Sequence, residues 1–323
     1  MRSTVMRPNV LACAGIALAL AAHLSLAAPT GAGAQERRSA VTGATIDEAT
    51  LSRAFDAAKA GDYGPLAALP EPTAAAIPAI ERGLSDDSEV VRRESVTLLS
   101  LIRDPRAAPA LAKALDDASA DVASRAAAAL YELGPDAIAA DPSVGERLRS
   151  AVAGGLTAGG AILMLAHAPA NGASVGTLKA TRAERGDALT EVFSASPVVP
   201  VALMADVALA KLGDQQAQDH VVDAIETGDL NTFQFLLSAL REIETPRLIE
   251  TLATATLGDT RTVDGDMVSS AETGVRLADV AAVRLAQRFD LPVAVGELAI
   301  ERLPDETLRT VRHALTEHLK GAQ

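Results

Sequence analysis

Aromatic side chains are almost missing from this chain. Only 2% of its 323 residues are aromatic, and none is Trp. Stacking bases or sugar rings requires aromatic platforms, so the composition speaks against recognition of either. Positive charge is also scarce, with 29 Lys and Arg against 42 Asp and Glu and a net charge of −13. Phosphate backbones are bound by clustered cations, and nucleic acid is therefore not an expected partner. Acidity of this kind keeps a protein soluble and identifies no cationic partner by itself. Cysteine occurs once, as Cys13.

The position of that cysteine matters because the N-terminus reads as a targeting segment. Arg2 and Arg7 precede a largely apolar run from Val10 to Leu26, and Ala32-Gly33-Ala34 forms a small-residue cleavage site before Gln35. The expectation is a secretory signal over residues 1–34, cleaved after Ala34, and an exported protein in the periplasm or outside the cell. The alternative keeps the segment as an envelope anchor; His23 and Ser25 interrupt its apolar run and weaken that reading. Val10-Leu11-Ala12-Cys13 resembles a lipoprotein box, but most of the apolar region follows the cysteine instead of preceding it. Cleavage leaves a chain without cysteine, hence without disulfide, thiolate nucleophile or zinc–thiolate site. It also removes two of the 29 basic residues, and the remaining 27 face 42 acids for a net of −15.

What the chain has in abundance is Ala, Leu, Val and Ile in helical spacing, and over Ile77 to Gly134 the pattern occurs twice. At an offset of about 31 residues, Pro78 falls on Pro109, Leu84 on Leu115, Asp86 on Asp117, Ser88 on Ser119, Val91 on Val122 and Leu99 on Leu130. Ile77, Ile80 and Leu84 form the apolar stripe of one helix, and Val91, Ser95, Leu98, Leu99 and Ile102 that of the next. A fixed period in this range marks stacked units, none of which buries its apolar face alone.

These residues, with Leu84-Ser85-Asp86, Val91-Arg92 and Leu98-Leu99 against Leu115-Asp116-Asp117, Val122 and Ala129-Leu130, resemble HEAT repeats of the short kind also found in phycobilisome-lyase-type proteins. Ala123 departs from the family pattern, which favours Arg there. The resemblance implies an all-α fold, an α-solenoid of antiparallel helix pairs, used as a protein-binding surface with the second helix of each pair lining its concave side. Glu89, Arg92, Arg93 and Arg125 are the candidate partner-binding residues on those helices. A lyase-like activity would rest on the family name alone.

The expected organisation is a signal over 1–34, a tail, capping helix and linker over 35–72, and a solenoid over 73–323. Its repeats are clear over 73–135 and degenerate over 136–257. A loop over 258–273 and C-terminal helices over 274–323 complete it. Thr45-x-x-Glu48 reads as a capping box opening a helix that ends at Gly61, before Pro65, Pro70 and Pro72. Val201–Leu212 and Phe235–Ile243 read as second helices of later repeats, with Leu209 falling on Leu240 and Leu212 on Ile243. A further helix is expected over Gly274–Arg288, and a last one opening at Pro304-Asp305-Glu306.

Four motifs invite a catalytic, metal or membrane reading. Gly172-Ala173-Ser174-Val175-Gly176 matches the nucleophile elbow of serine hydrolases, which needs a strand entering the serine and a helix leaving it. Ala161–Ala166 is the only candidate strand, and an inter-helix loop is the expected conformation of the motif. Gly154-Gly155 and Gly159-Gly160 lack the Lys and Ser or Thr of a phosphate loop. Ala151–Ala170 is free of charge, but its four glycines favour a buried helix with close backbone approach over a membrane span. Asp264-Gly265-Asp266 reads as a solvated turn, since a hard cation needs six or more oxygens. Arg241, Glu242, Glu244 and Arg247 read as ordinary surface charges.

No metal or cofactor is expected, and the leading reading is a non-catalytic, exported scaffold for a protein partner, monomeric or weakly associating. The alternatives are a serine hydrolase using Ser174 and an envelope-anchored structural protein.

Overall fold

Asp, Gly and Pro punctuate the chain, and helices fill the intervals between them. The computed structural model describes residues 46–168, 172–192, 197–263, 274–296 and 302–321. The signal segment, Thr45 and Asp264-Gly265-Asp266 lie outside these residues. The fold is all-α, of the α-solenoid type built from HEAT-like helix pairs, with one two-residue strand pair among the described residues. The chain divides into two compact units, with the boundary in the sequence between Ile102 and Arg103.

In the first unit α1 (Glu48–Lys59) starts where the Asp47 carboxylate accepts the Thr50 backbone N–H at 2.7 Å. That side-chain oxygen replaces a missing intrahelical acceptor. Gly61, at φ +85°, ends the turn that follows α1. The proline-rich linker contains a short helix, α2 (Gly64–Ala67). Helices α3 (Ile77–Gly83) and α4 (Glu89–Ile102) are the first helix pair, and α1 packs on both. A side chain at Gly83 would come within 2.2 Å of Ser95 Oγ and 3.0 Å of the Phe55 ring, so the absence of a Cβ sets how closely these helices approach.

The second unit opens with the other copy of the pair, α5 (Ala108–Lys113) and α6 (Ala120–Leu133). The sequence period becomes geometry at the turns. Asp86 Oδ1 accepts the Ser88 N–H at 2.8 Å, and Asp117 Oδ1 accepts the Ser119 N–H at 2.8 Å. Each aspartate thus closes an Asx turn between the two helices of its pair. Pro78 and Pro109 sit in the first turn of α3 and α5, where an N–H has no intrahelical acceptor.

Beyond α6 come α7 (Asp136–Ala140), α8 (Ser143–Ala153), α9 (Gly159–Met164) and α10 (Gly172–Arg185). A hairpin of β1 (Leu189–Thr190) and β2 (Val199–Pro200) precedes α11 (Val201–Lys211), α12 (Gln215–Thr227) and α13 (Leu230–Ser238). The chain closes with α14 (Pro246–Thr256), α15 (Leu277–Arg288) and α16 (Asp305–Gly321).

Contacts sort the second unit into two layers. Helices α5, α8, α10, α12, α14 and α16 form the first, and α6, α9, α11, α13 and α15 the second. Surface ion pairs join successive first-layer elements, as between Arg147 and Asp116 (3.0 Å) and between Arg247 and Asp219 (2.6 Å).

Several expectations are corrected here. Ala161–Ala166 is not a strand: its first four residues belong to α9. Ala151–Ala170 is not one helix, since α8 ends at Ala153 and α9 begins at Gly159. The helix expected over Phe235–Ile243 is instead α13, followed by a 3-10 turn at Leu240–Glu242. The helix expected from Gly274 starts at Leu277, because Thr262 and Arg276 pair as an isolated antiparallel bridge.

The second layer also departs from a solvent-facing row. Every residue of α9 is buried, as are Leu203–Ala210 of α11, Phe233–Leu237 of α13 and Leu277–Val283 of α15. Helices apolar all round belong in an interior. Small residues let them in: a Cβ on Gly160 would stand 2.6 Å from the Ala127 carbonyl oxygen, and one on Gly159 2.4 Å from Met204 Sδ.

Two glycine replacements separate packing from propensity. Gly160→Ala should destabilise the protein by about 1–3 kcal/mol, because the Ala127 backbone cannot step aside. Gly176→Ala, in α10 with nothing within 4 Å of the new Cβ, should be neutral or stabilising by up to about 1 kcal/mol through helix propensity. Urea denaturation of both variants checks the opposite signs.

Candidate functional site: an ionic cluster at the ends of the second-layer helices

Four second-layer helices deliver polar side chains to one place. Tyr131 lies in the last turn of α6, His167 three residues past α9, and Lys211 at the end of α11. Arg241 and Glu242 come from the 3-10 turn that follows α13. Glu242 is at the centre, and its side chain is fully shielded from solvent. One carboxylate oxygen, Oε2, lies 2.7 Å from His167 Nε2 and 3.1 Å from Lys211 Nζ. The other, Oε1, accepts Arg241 Nε at 2.8 Å.

The cations also serve the helix ends. Lys211 donates to the Arg241 carbonyl at 3.1 Å and pairs with the exposed Glu244 at 3.0 Å. The Arg241 guanidinium donates to the Tyr131 carbonyl and lies over the Tyr131 ring, 3.5 Å from its centroid. Cations at helix C-termini meet both unsatisfied carbonyls and the negative end of the helix dipole. Contact with an aromatic face adds a cation–π attraction.

Burial by itself would push the Glu242 carboxyl up. The His167 hydrogen bond and charge, the Lys211 charge and the Arg241 hydrogen bond outweigh it and hold the group down to about 2. The Tyr131 phenol moves the other way, pushed up by burial and by the neighbouring Glu242 charge. A carboxylate so enclosed meets no substrate; its chemistry is to gather donors from separate helices. The sequence reading of Glu242 as a surface charge is therefore wrong, and that of Arg241 is wrong in part, while Glu244 and Arg247 are exposed.

Two further charged groups are built into the core of this unit. Asp206, buried in α11, accepts Arg182 Nε at 2.6 Å and lies 3.3 Å from His220 Nδ1. Arg182 also reaches His220 Nδ1 at 3.0 Å, which joins α10, α11 and α12. Near the C-terminus, Asp279 is fully buried and accepts the Arg276 backbone N–H at 2.7 Å, Arg276 Nη2 at 2.9 Å and the Leu303 N–H at 3.1 Å. Arg276 continues to Asp305 at 3.0 Å and fixes the approach to α16.

The residues singled out from the sequence do not converge. Glu89 is exposed on α4. Arg92 is half-buried and donates to the carbonyls of Asp86 and Asp87 at 2.9 and 3.1 Å, holding the turn before its helix. Arg93 pairs with Glu94 at 3.0 Å and donates to the Tyr63 hydroxyl at 3.1 Å. Arg125 pairs with Asp121 one turn away at 2.9 Å.

Gly172–Gly176 is not a loop but the first turns of α10, with Ser174 buried on its inner face beside Leu178 and Thr181. Neither glycine brings another backbone close, and neither has a positive φ, so the strained strand-to-helix turn of a nucleophile elbow is absent there. Among the described residues no group of three or more His, Cys, Asp or Glu could hold a metal ion. No described helix is long and apolar enough to cross a membrane.

The geometry of α2 to α6 agrees with a family match. Residues 65–131 match the model for HEAT repeats, so this stretch carries repeats of that family. No curated protein matches the chain. HEAT repeats commonly serve as protein-interaction modules, and the match suggests that class for this chain.

Two outcomes test the site. Glu242→Gln leaves Lys211, Arg241 and His167 without their anion and should cost about 3 kcal/mol of stability near neutral pH. The folded-state value of Glu242 lies below its ordinary 4.5, so its contribution is complete above pH 4.5 and is lost as pH falls towards about 2. Urea melts of wild type and variant should accordingly converge across that interval. Separately, the purified protein should not label with a fluorophosphonate probe; labelling at Ser174 would restore the hydrolase reading.

Proposed function

We propose that the protein is an exported, non-catalytic scaffold that binds another protein through the outward faces of its helix pairs. The single observation that carries this reading is the HEAT repeat match over residues 65–131, on helices whose repeated residues serve turns and core. Export rests on the N-terminal pattern of Arg2, Arg7, Val10–Leu26 and Ala32-Gly33-Ala34. On this reading the mature chain starts at Gln35 and works in the cell envelope.

The binding face follows from burial. The second layer of the larger unit displays few side chains, whereas α8, α10, α12 and α14 expose one polar side each, including Glu146, Lys179, Asp219, Asp223 and Glu250. These first-layer faces are the surface available to a partner. Glu89 and Arg125 remain candidates from the sequence. Arg92 and Arg93 contribute to the fold of the first unit as well, so changing them perturbs more than a surface.

Affinity capture from envelope extract with the mature chain, followed by carboxylate footprinting of the captured complex, tests this function. Protection of Glu146, Asp219, Asp223 or Glu250 is the expected result. Recovery of nothing beyond what an unrelated acidic protein recovers would refute the scaffold reading. Mass measurement of the exported form should give an N-terminus at Gln35; a retained Met1 would refute cleavage.

A further inference from the structure

In a stack of repeats each unit touches its immediate neighbours. The Arg241–Tyr131 contact breaks that rule. The two residues are 110 positions apart, Arg241 in the turn after the fourth second-layer helix of the larger unit and Tyr131 in the first, with α9 and α11 between them. The contact is specific: the guanidinium donates to the Tyr131 carbonyl and lies 3.5 Å from the ring centroid. The adjacent residue, Glu242, reaches the two intervening helices through His167 at 2.7 Å and Lys211 at 3.1 Å. One short turn therefore touches the ends of all four.

The intervening helices are the ones with no exposed side. All of α9 and nearly all of α11 are buried, although neither carries the polar face that a helix on the surface of a stack requires. We propose that the Arg241–Glu242 turn is a latch that closes the second layer on itself, and that its release opens the layer and bares the apolar surfaces of α9 and α11. In the closed state Ile162, Leu163, Leu203 and Val207 are all buried.

The latch is held by polar contacts. Tyr131, Arg241 and Lys211 are joined by hydrogen bonds and by stacking of the guanidinium on the ring. The Arg241 side chain is one-third exposed, so solvent reaches the outer side of the contact. Helices α8 and α9, and α10 and α11, also pack directly on one another.

Hydrogen exchange of the full mature chain tests the latch. In Arg241→Ala, amides of α9, α11 and the last turn of α6 should exchange roughly tenfold faster or more, with α14 and α16 unchanged. Arg241→Lys keeps the charge without the planar fork and should fall between the two. Unchanged exchange in α9 and α11, or a uniform acceleration over every helix of the unit, would overturn the proposal. Should Arg241→Ala fail to fold, wild-type exchange in sub-denaturing urea decides the question. A shared opening of α9 and α11 below the global unfolding free energy supports the latch, and exchange of both only through global unfolding overturns it.

Discussion

A carboxylate taken out of water has to be met by donors, and Glu242 has none within its own turn except Arg241. The rest come from His167 and Lys211, at the ends of α9 and α11. An ionised group left unpaired in an interior costs several kcal/mol, so the positions of these helix ends are not independent. Arg241 extends the constraint to α6 through the Tyr131 carbonyl. A charge that is a liability in isolation thereby becomes the element that specifies how successive helix pairs are placed.

The interior beneath the cluster uses the opposite chemistry. Gly160 brings α9 onto the backbone of α6, Gly159 makes room for the Met204 side chain of α11, and alanines fill much of what remains. Few aromatic residues are needed because the helices approach so closely, and this is where the composition becomes intelligible. Two buried carboxylates of the core sit in satisfied sets. Asp206 is held by Arg182 and His220, and Asp279 by Arg276 and Leu303. The result is a division between a largely buried second layer and a first layer that exposes polar faces, which the proposed function assigns to a partner.

Much of the fold is legible in the sequence because it is encoded locally. Asp86 and Ser88 recur as Asp117 and Ser119, and both pairs make the same turn. Proline marks the starts of α3 and α5 by the hydrogen bond it omits, whereas α1 is capped by Asp47 with Glu48 as its first residue, so the capping box read over Thr45-x-x-Glu48 does not open it. The candidate site is far less legible, since a single charge in a short turn does not declare which way it points. Glu242 stands in a run of charges, Arg241, Glu244 and Arg247, that reads as surface. A signal did exist at the offset that aligns Leu209 with Leu240: Lys211 falls on Glu242, and opposite charges at equivalent positions of stacked repeats meet. Ser174 misled for a related reason. The Gly-x-Ser-x-Gly pattern draws the eye, while Leu178 and Thr181, four and seven residues on, place the serine on the buried stripe of a helix.

Everything in this account turns on Glu242 being an enclosed anion. The most direct measurement is the carbon NMR shift of its carboxyl group, followed from neutral pH into acid in protein carrying labelled glutamate and assigned with Glu242→Gln. The account predicts a resonance that stays at its ionised position well below 4.5 and moves only as the pH approaches about 2. A midpoint near 4.5, as for a solvated glutamate, would contradict it.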